Sequence, residues 1–177
     1  MASPEETIST ERAFQGKRIS VRVDRVRLAD GTISTRDIVV HPNAVVVVAV
    51  DDDGNVLFVR QYRKAPEREL LELPAGVIDG DEEPLAAAQR ELREETGHAA
   101  ATLLPLGYFF AAPGSMTECL FSFLATGLRE DALPADEDER IQLERIPFAE
   151  AVRMAQAGEI HDAKTLASLL LAQPHMR

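Results

Sequence analysis

A single cysteine, Cys119, stands in the 177 residues. No internal disulfide framework can form, and a reducing compartment, most simply the cytoplasm, is expected. Long apolar runs are missing as well. The longest, Ala44 to Val50, is far short of the roughly 20 residues that cross a bilayer, so no membrane role is expected. Residues 1–12 are polar and mixed in charge, not basic and then apolar, which argues against a secretory signal there. Positive charge is in deficit, with 19 Lys and Arg against 30 Asp and Glu, a net charge of −11. Such a surface excludes bulk nucleic acid as an expected partner, because its binding rests on Lys and Arg neutralising phosphates. A small phosphorylated substrate stays compatible, provided metal ions and a few placed arginines meet its charge against the overall field. No internal repeat is visible. What is present, 45% hydrophobic and 28% charged residues, suits one cored domain with a small N-terminal extension.

Along the chain, residues 1–15 read as a mobile or partner-stabilised arm. From Arg18 the pattern has period two, a turn follows at Asp30-Gly31, and Thr32 to Val40 completes a hairpin signature. Ala44 to Val50 is apolar on both faces and reads as a buried central strand. Val56 to Tyr62 is expected as its partner after the Asp53-Gly54 break. Leu70 to Leu73 is another short strand. Helix is expected from Pro84, suited to a first turn, to Thr96, with Gly97 ending it. Strands are expected near Leu104–Phe110, Glu118–Leu124 and Ile141–Ile146, with an acidic loop from Asp131 to Arg140. Two C-terminal helices are expected over 147–157 and 163–171. Strands come first and helices are few, so the fold class is α+β, with residues 1–42 an arm and hairpin and 43–177 the main domain.

On the expected helix, Leu85, Ala88 and Leu92 form an apolar stripe. Glu91, Glu94 and Glu95 lie together off it at helical spacing. Each like-charge pair costs a few tenths of a kcal/mol, which a hard divalent cation would relieve, and oxygen-only ligands favour Mg²⁺ or Mn²⁺ over zinc. On the helix alone, an ordinary acidic surface face is the favoured reading over a metal site.

The residues around the helix carry more. Gly76, five residues, Glu82, seven residues, Arg90-Glu91-Leu92, one residue, Glu94-Glu95, one residue, Gly97 and His98 together resemble the Nudix box, G-x5-E-x7-R-E-U-x-E-E-x-G-U, where U is a bulky aliphatic. The one departure is His98 at the last U, a packing position. The resemblance implies the Nudix fold, an α/β/α sandwich with a mixed sheet, here with an N-terminal β-strand extension. It implies Mg²⁺ held by Glu91, Glu94 and Glu95, joined by the carbonyl of Ala75 or Gly76. Arg90 would orient the glutamates and Glu82 would fix the loop. The reaction implied is attack of water on one phosphorus of a diphosphate, where positioning and charge neutralisation dominate.

The flanks resemble the ADP-ribose pyrophosphatase subgroup: Arg60-Gln61-Tyr62-Arg63, Leu71 to Gly76, Ala112-Pro113-Gly114-Ser115-Met116-Thr117-Glu118, the loop Asp136 to Glu139 and the segment Gly158 to Thr165. That likeness implies Arg63, and with it Arg60, on the diphosphate. Glu118 would lie near the terminal ribose or catalytic loop. Glu139 would be general base or further metal ligand, in competition with Glu137 and Asp138. Alternation puts Arg60 and Arg63 on different faces, so a surface role for one of them stays open, and Pro113-Gly114 could be a plain turn. The subgroup is usually a homodimer that exchanges N-terminal strands, here residues 18–40. The expected substrate is thus a small nucleoside diphosphate derivative, ADP-ribose first, split to AMP and ribose 5-phosphate. The rivals are hydrolysis of GDP-mannose or a dinucleotide, a non-catalytic ADP-ribose sensor, and an acidic cation-binding surface protein.

Overall fold

The computed structural model describes residues 4–134 and 140–176. Two compact units result, one over Met1–Asn43 with Phe110–Cys119, the other over Ala44–Phe109 with Leu120–Arg177. Among the described residues no helix is long and apolar enough to cross a membrane.

In the first unit, β1 (Glu5–Gln15), β2 (Ser20–Leu28) and β3 (Ile33–Val40) form an antiparallel sheet in that order. The hairpin turns where Gly31 takes a φ of 87° and Asp30 Oδ1 accepts from Thr32 N at 2.9 Å. Residues 5–15 are therefore a strand and not the arm their sequence suggests. Their side chains are mostly exposed and contribute little burial, so the apolar pattern is weak. Backbone pairing with β2 supplies the order, aided by charge pairs across the sheet from Arg27 to Glu6 and Arg36 to Glu5. The turn Ala112–Met116 lies beside the end of β3, with Val39 N donating to Ser115 O and Thr117 N to Val39 O.

The second unit is built on β4 (Ala44–Ala49), buried along its whole length. Its alternate residues serve two cores. Val45, Val47 and Ala49 pack with Ala87, Ala88 and Leu92 of helix α1 (Pro84–Thr96). Val46, Val48 and Val50 pack with Ala151 of α2 (Phe148–Gln156) and Leu169 and Ala172 of α3 (Ala163–Ala172). Full burial of each such valine contributes about 1.5 kcal/mol or more. A strand sandwiched this way explains the unbroken apolar run.

The sheet order is β7 (Ala75–Val77), β4, β9 (Cys119–Glu130), β8 (His98–Phe110). β4 is parallel to β9 and antiparallel to β7, so the sheet is mixed. A second, antiparallel sheet has the order β10 (Gln142–Pro147), β5 (Asn55–Arg63), β6 (Arg68–Glu72). β5 is thus not the neighbour of β4 that the sequence suggests. A single bridge, Val50 to Val56, joins them. The Asp51–Asn55 turn, with Gly54 at φ 80° and Asp51 Oδ1 accepting from Asp53 N and Asn55 N, sends the chain into the other sheet, since both edges of β4 are occupied.

Helix α1 has the expected limits. Gly97 is left-handed at φ 74°, and its N–H reaches Arg93 O at 3.1 Å. The stripe is shifted, however: Leu85 is half-exposed, and the small Ala87 is buried in company with Ala88 and Leu92.

Candidate active site

The short strand β7 and helix α1 meet at Ala75-Gly76. Glu95, one of the few buried acids, accepts the Ala75 N–H on Oε2 at 3.0 Å. Glu91 lies directly over Gly76, where an added Cβ would come within 2.0 Å of its carboxylate. Glycine is required at that position because the carboxylate occupies the space a side chain would take. Two of the three acids singled out on the helix therefore converge on one dipeptide of the backbone.

Arg90 organises the rest. Its Nη1 donates to Glu91 Oε1 at 2.7 Å and to Glu94 Oε2 at 2.9 Å. Its Nη2 donates to Glu82 Oε2 at 2.9 Å and to the Val77 carbonyl at 3.0 Å, and its Nε reaches Glu82 Oε1 at 3.2 Å. One planar guanidinium so ties the loop after β7 to the helix. The hydrogen bonds that Arg90 donates to Glu82 first, then the one to Glu91, raise its pKa against the opposing effect of burial. In return Arg90 holds Glu82 below the ordinary carboxylate range.

The donor set is oxygen only, as a hard divalent cation requires. In this arrangement no three His, Cys, Asp or Glu side chains among the described residues are gathered closely enough to hold an ion, because Arg90 draws Glu94 and one oxygen of Glu91 to itself. The carboxylates of Glu91 and Glu95 at Ala75-Gly76, with Glu94 one turn of helix away, fit such a cation in kind. Ala75 contributes its N–H to Glu95.

Arg63 and Arg60 behave differently, as alternation requires. Arg63 shares the face of β5 that carries Leu57, toward the α1 cluster. Its Nε and Nη2 bind Glu72 Oε1 and Oε2 at 2.8 and 2.7 Å. Its pKa is raised by the Glu72 hydrogen bonds foremost, and the nearby charge of Glu95 adds to this. Arg60 lies on the Phe58 face and donates from Nε to Glu144 Oε1 at 2.5 Å. An open cleft there is lined by Arg60, Tyr62, Glu69, Arg140, Ile141 and Gln142. Glu118, in the first unit, sits 3.3 Å from His41 Nδ1. Glu139, with Glu137 and Asp138, lies outside the described residues.

Sequence reasoning passed over Glu72 and Lys164. Glu72 is 1% exposed and is gripped by both Arg63 and Lys164. Burial pushes its pKa up, but Arg63 and Lys164 outweigh that and hold it below the ordinary carboxylate value. A signal existed: an acid between Leu71 and Leu73 in a short apolar strand must be paired if it is buried.

Comparison with known proteins shows the family. The NUDIX domain family matches residues 40–169, and the nucleoside diphosphate sugar hydrolase N-terminal domain family matches residues 5–39. An ADP-ribose pyrophosphatase of Bacillus subtilis is 41% identical, over 91% of this chain and 88% of its own length. An ADP-ribose pyrophosphatase of Mycobacterium tuberculosis is 43% identical, over 93% and 81%. A GDP-mannose pyrophosphatase of Yersinia enterocolitica is 35% identical, over 70% and 69%. The crystal structure of an ADP compounds hydrolase superposes with a TM-score of 0.88 at 23% identity, covering 98% of this chain and 94% of that one, and so shares the fold. With the box residues gathered between β7 and α1 and two family models covering residues 5–169, the chain belongs to the Nudix hydrolase family.

Proposed function

We propose that this hydrolase cleaves the diphosphate of ADP-ribose, giving AMP and ribose 5-phosphate, with Mg²⁺ as its metal and Mn²⁺ able to replace it. The observation that carries the reading is the convergence of Glu91 and Glu95 on Ala75-Gly76, with Arg63 held by Glu72 three residues before Ala75. Carboxylates for a hard cation and a guanidinium for a phosphate thus lie within one unit. Support for the substrate comes from the two ADP-ribose pyrophosphatases, which match at higher identity and over more of their length than the GDP-mannose enzyme.

Glu91, Glu94 and Glu95, with a carbonyl of Ala75-Gly76, would hold the metal. When bound, it polarises the phosphoryl oxygens and acidifies the attacking water. Arg90 keeps loop and helix in register around them. The Nε and Nη2 edge of Arg63 is committed to Glu72, so an incoming diphosphate meets its Nη1 end. Glu139, ahead of Glu137 and Asp138, is assigned as general base or further metal ligand, and Glu118 is assigned to the terminal ribose or catalytic loop. Arg60, on the other face of β5 and engaged by Glu144, is left out of the diphosphate contact and takes the surface role that alternation had left open for one of the two arginines. Residues 1–42 are assigned to a homodimer contact and 43–177 to the hydrolase domain, and the enzyme to the cytoplasm.

A hydrolysis panel with product identification tests the reading. ADP-ribose with Mg²⁺ is expected to turn over best and yield AMP. Faster hydrolysis of GDP-mannose would move the substrate. Tight binding of ADP-ribose without turnover would make the protein a sensor.

A further inference from the structure

The segment Asp162-Ala163-Lys164-Thr165 carries no role in the chemistry described so far, yet the structure ties it to the site. We propose that Lys164 is a positioning residue for Arg63, acting through the buried Glu72 to fix the guanidinium that receives the diphosphate. This rests on the proposed function.

Four charges alternate in a row. Asp162 Oδ1 lies 3.0 Å from Lys164 Nζ, Lys164 Nζ binds Glu72 Oε2, and Glu72 holds Arg63 with two parallel hydrogen bonds. Along the row the side chains of Asp162 and Lys164 are 15% and 16% exposed, Glu72 is 1% exposed, and only Arg63, at 39%, stands open to solvent. The row therefore ends in a cation that keeps an open edge, while its inner members are removed from water.

Glu72 bound by Arg63 alone would be a closed pair, with the anion's charge fully engaged by the guanidinium. Lys164 shares the same carboxylate oxygen, so less of the Arg63 charge is cancelled and more is left for an anionic ligand. Lys164 also removes the freedom of Glu72 to turn, since one oxygen is held from two directions.

The far end of the row is anchored to the same backbone that carries the metal-site contacts. Asp162 Oδ2 caps α3 by accepting Thr165 N at 3.0 Å and Thr165 Oγ1 at 2.6 Å. Thr165 Oγ1 accepts Leu73 N at 2.9 Å. Two residues on, Ala75 N donates to Glu95. The start of α3 thereby fixes both the Arg63 carboxylate partner and the run Glu72 to Ala75.

The test uses the full chain as wild type, Lys164→Met, Lys164→Arg, Arg63→Ala and the Arg63→Ala/Lys164→Met double variant. It reads kcat and KM on the best substrate of the panel, and the Kd of ADP by calorimetry. Lys164→Met is expected to raise KM and the ADP Kd about tenfold, the size of one charge-assisted hydrogen bond, with kcat changed less. Lys164→Arg should restore both. In the Arg63→Ala background, Lys164→Met should add nothing, because Lys164 acts through Arg63. An equal loss in both backgrounds, or an unchanged KM and Kd, overturns the proposal. If Lys164→Met does not fold, Lys164→Gln, which keeps a donor without the charge, is read by the same outcomes. A wild type that neither hydrolyses the panel nor binds ADP overturns the functional reading, and this proposal with it. An active wild type insensitive to Lys164 overturns only the role of Lys164.

Discussion

Replacing Gly76 by alanine inserts a methyl group where Glu91 already sits. The new Cβ would meet Glu91 Cδ and Oε1 at 2.0 Å and Oε2 at 2.3 Å, far inside contact distance, so one partner must move. Glu91 is the one that can, because its carboxylate ends a flexible side chain. The Gly76 backbone is held in register with the fully buried Val45. Gly76 has no positive φ, and a glycine-to-alanine change at a compatible position stabilises by about 0.4–1 kcal/mol through the unfolded chain. That offsets part of the lost Glu91 contact with Arg90, a largely buried pair worth about 1.5–3 kcal/mol. Tm is therefore expected to fall by no more than about 10 °C. Activity should not survive so well. Displacing one group that stabilises transition-state charge costs about 2.7–4 kcal/mol, a fall in kcat/KM of about 10²–10³. Release of AMP and a thermal melt, run beside Glu91→Gln, form the assay. Wild-type kcat/KM with a normal melt would refute the placement of Glu91 at the reacting centre. A variant that melts far below Glu91→Gln would show that the backbone and not the carboxylate had moved.

Glu95→Gln keeps the acceptor for the Ala75 N–H and the shape of the side chain but loses the charge. The melt should be unchanged while kcat/KM falls about 10²-fold or more, and unchanged turnover would remove Glu95 from the site. Glu72→Gln should destabilise in a pH-dependent way. The folded pKa of Glu72 lies below its ordinary value of 4.5, so its contribution is complete above that value and is lost as pH falls through the folded one. Urea unfolding at about pH 7 should show a loss of about 3 kcal/mol, low in the range for breaking a buried pair because Arg63 is partly exposed. By about pH 3.5 the gap between variant and wild type should narrow, and a constant gap would mean that Glu72 acts by packing alone.

Much of this was legible in the residues. The unbroken run from Ala44 to Val50 marked a strand buried on both faces, and Pro84 and Gly97 marked the ends of α1. The box spacing alone groups Gly76, Arg90 and Glu91. Other features depend on partners that periodicity does not report. β1 has few apolar residues and is ordered by pairing with β2. Val56 follows β4 closely in sequence but belongs to another sheet, because β7 and β9 take both edges of β4. Leu85 fits the helical stripe on paper and stands half in solvent. The row from Asp162 to Arg63 joins β5, β6 and α3, and its members become neighbours only through the tertiary fold.

The parallel pairing of β4 with β9 sets Ala44 opposite Leu120 and Ala49 opposite Ala125. A chain emerging from the ribosome thus displays its most apolar strand long before that neighbour has been made. Contacts so distant in sequence slow folding and lengthen the life of unpaired edges. The valines from Val45 to Val48 form a short, uncharged, β-branched stretch of the kind that seeds cross-chain stacking. Truncations that stop ahead of Leu120 are expected to go to inclusion bodies, whatever their intrinsic helix content, and chaperone dependence should ease once β9 has been synthesised.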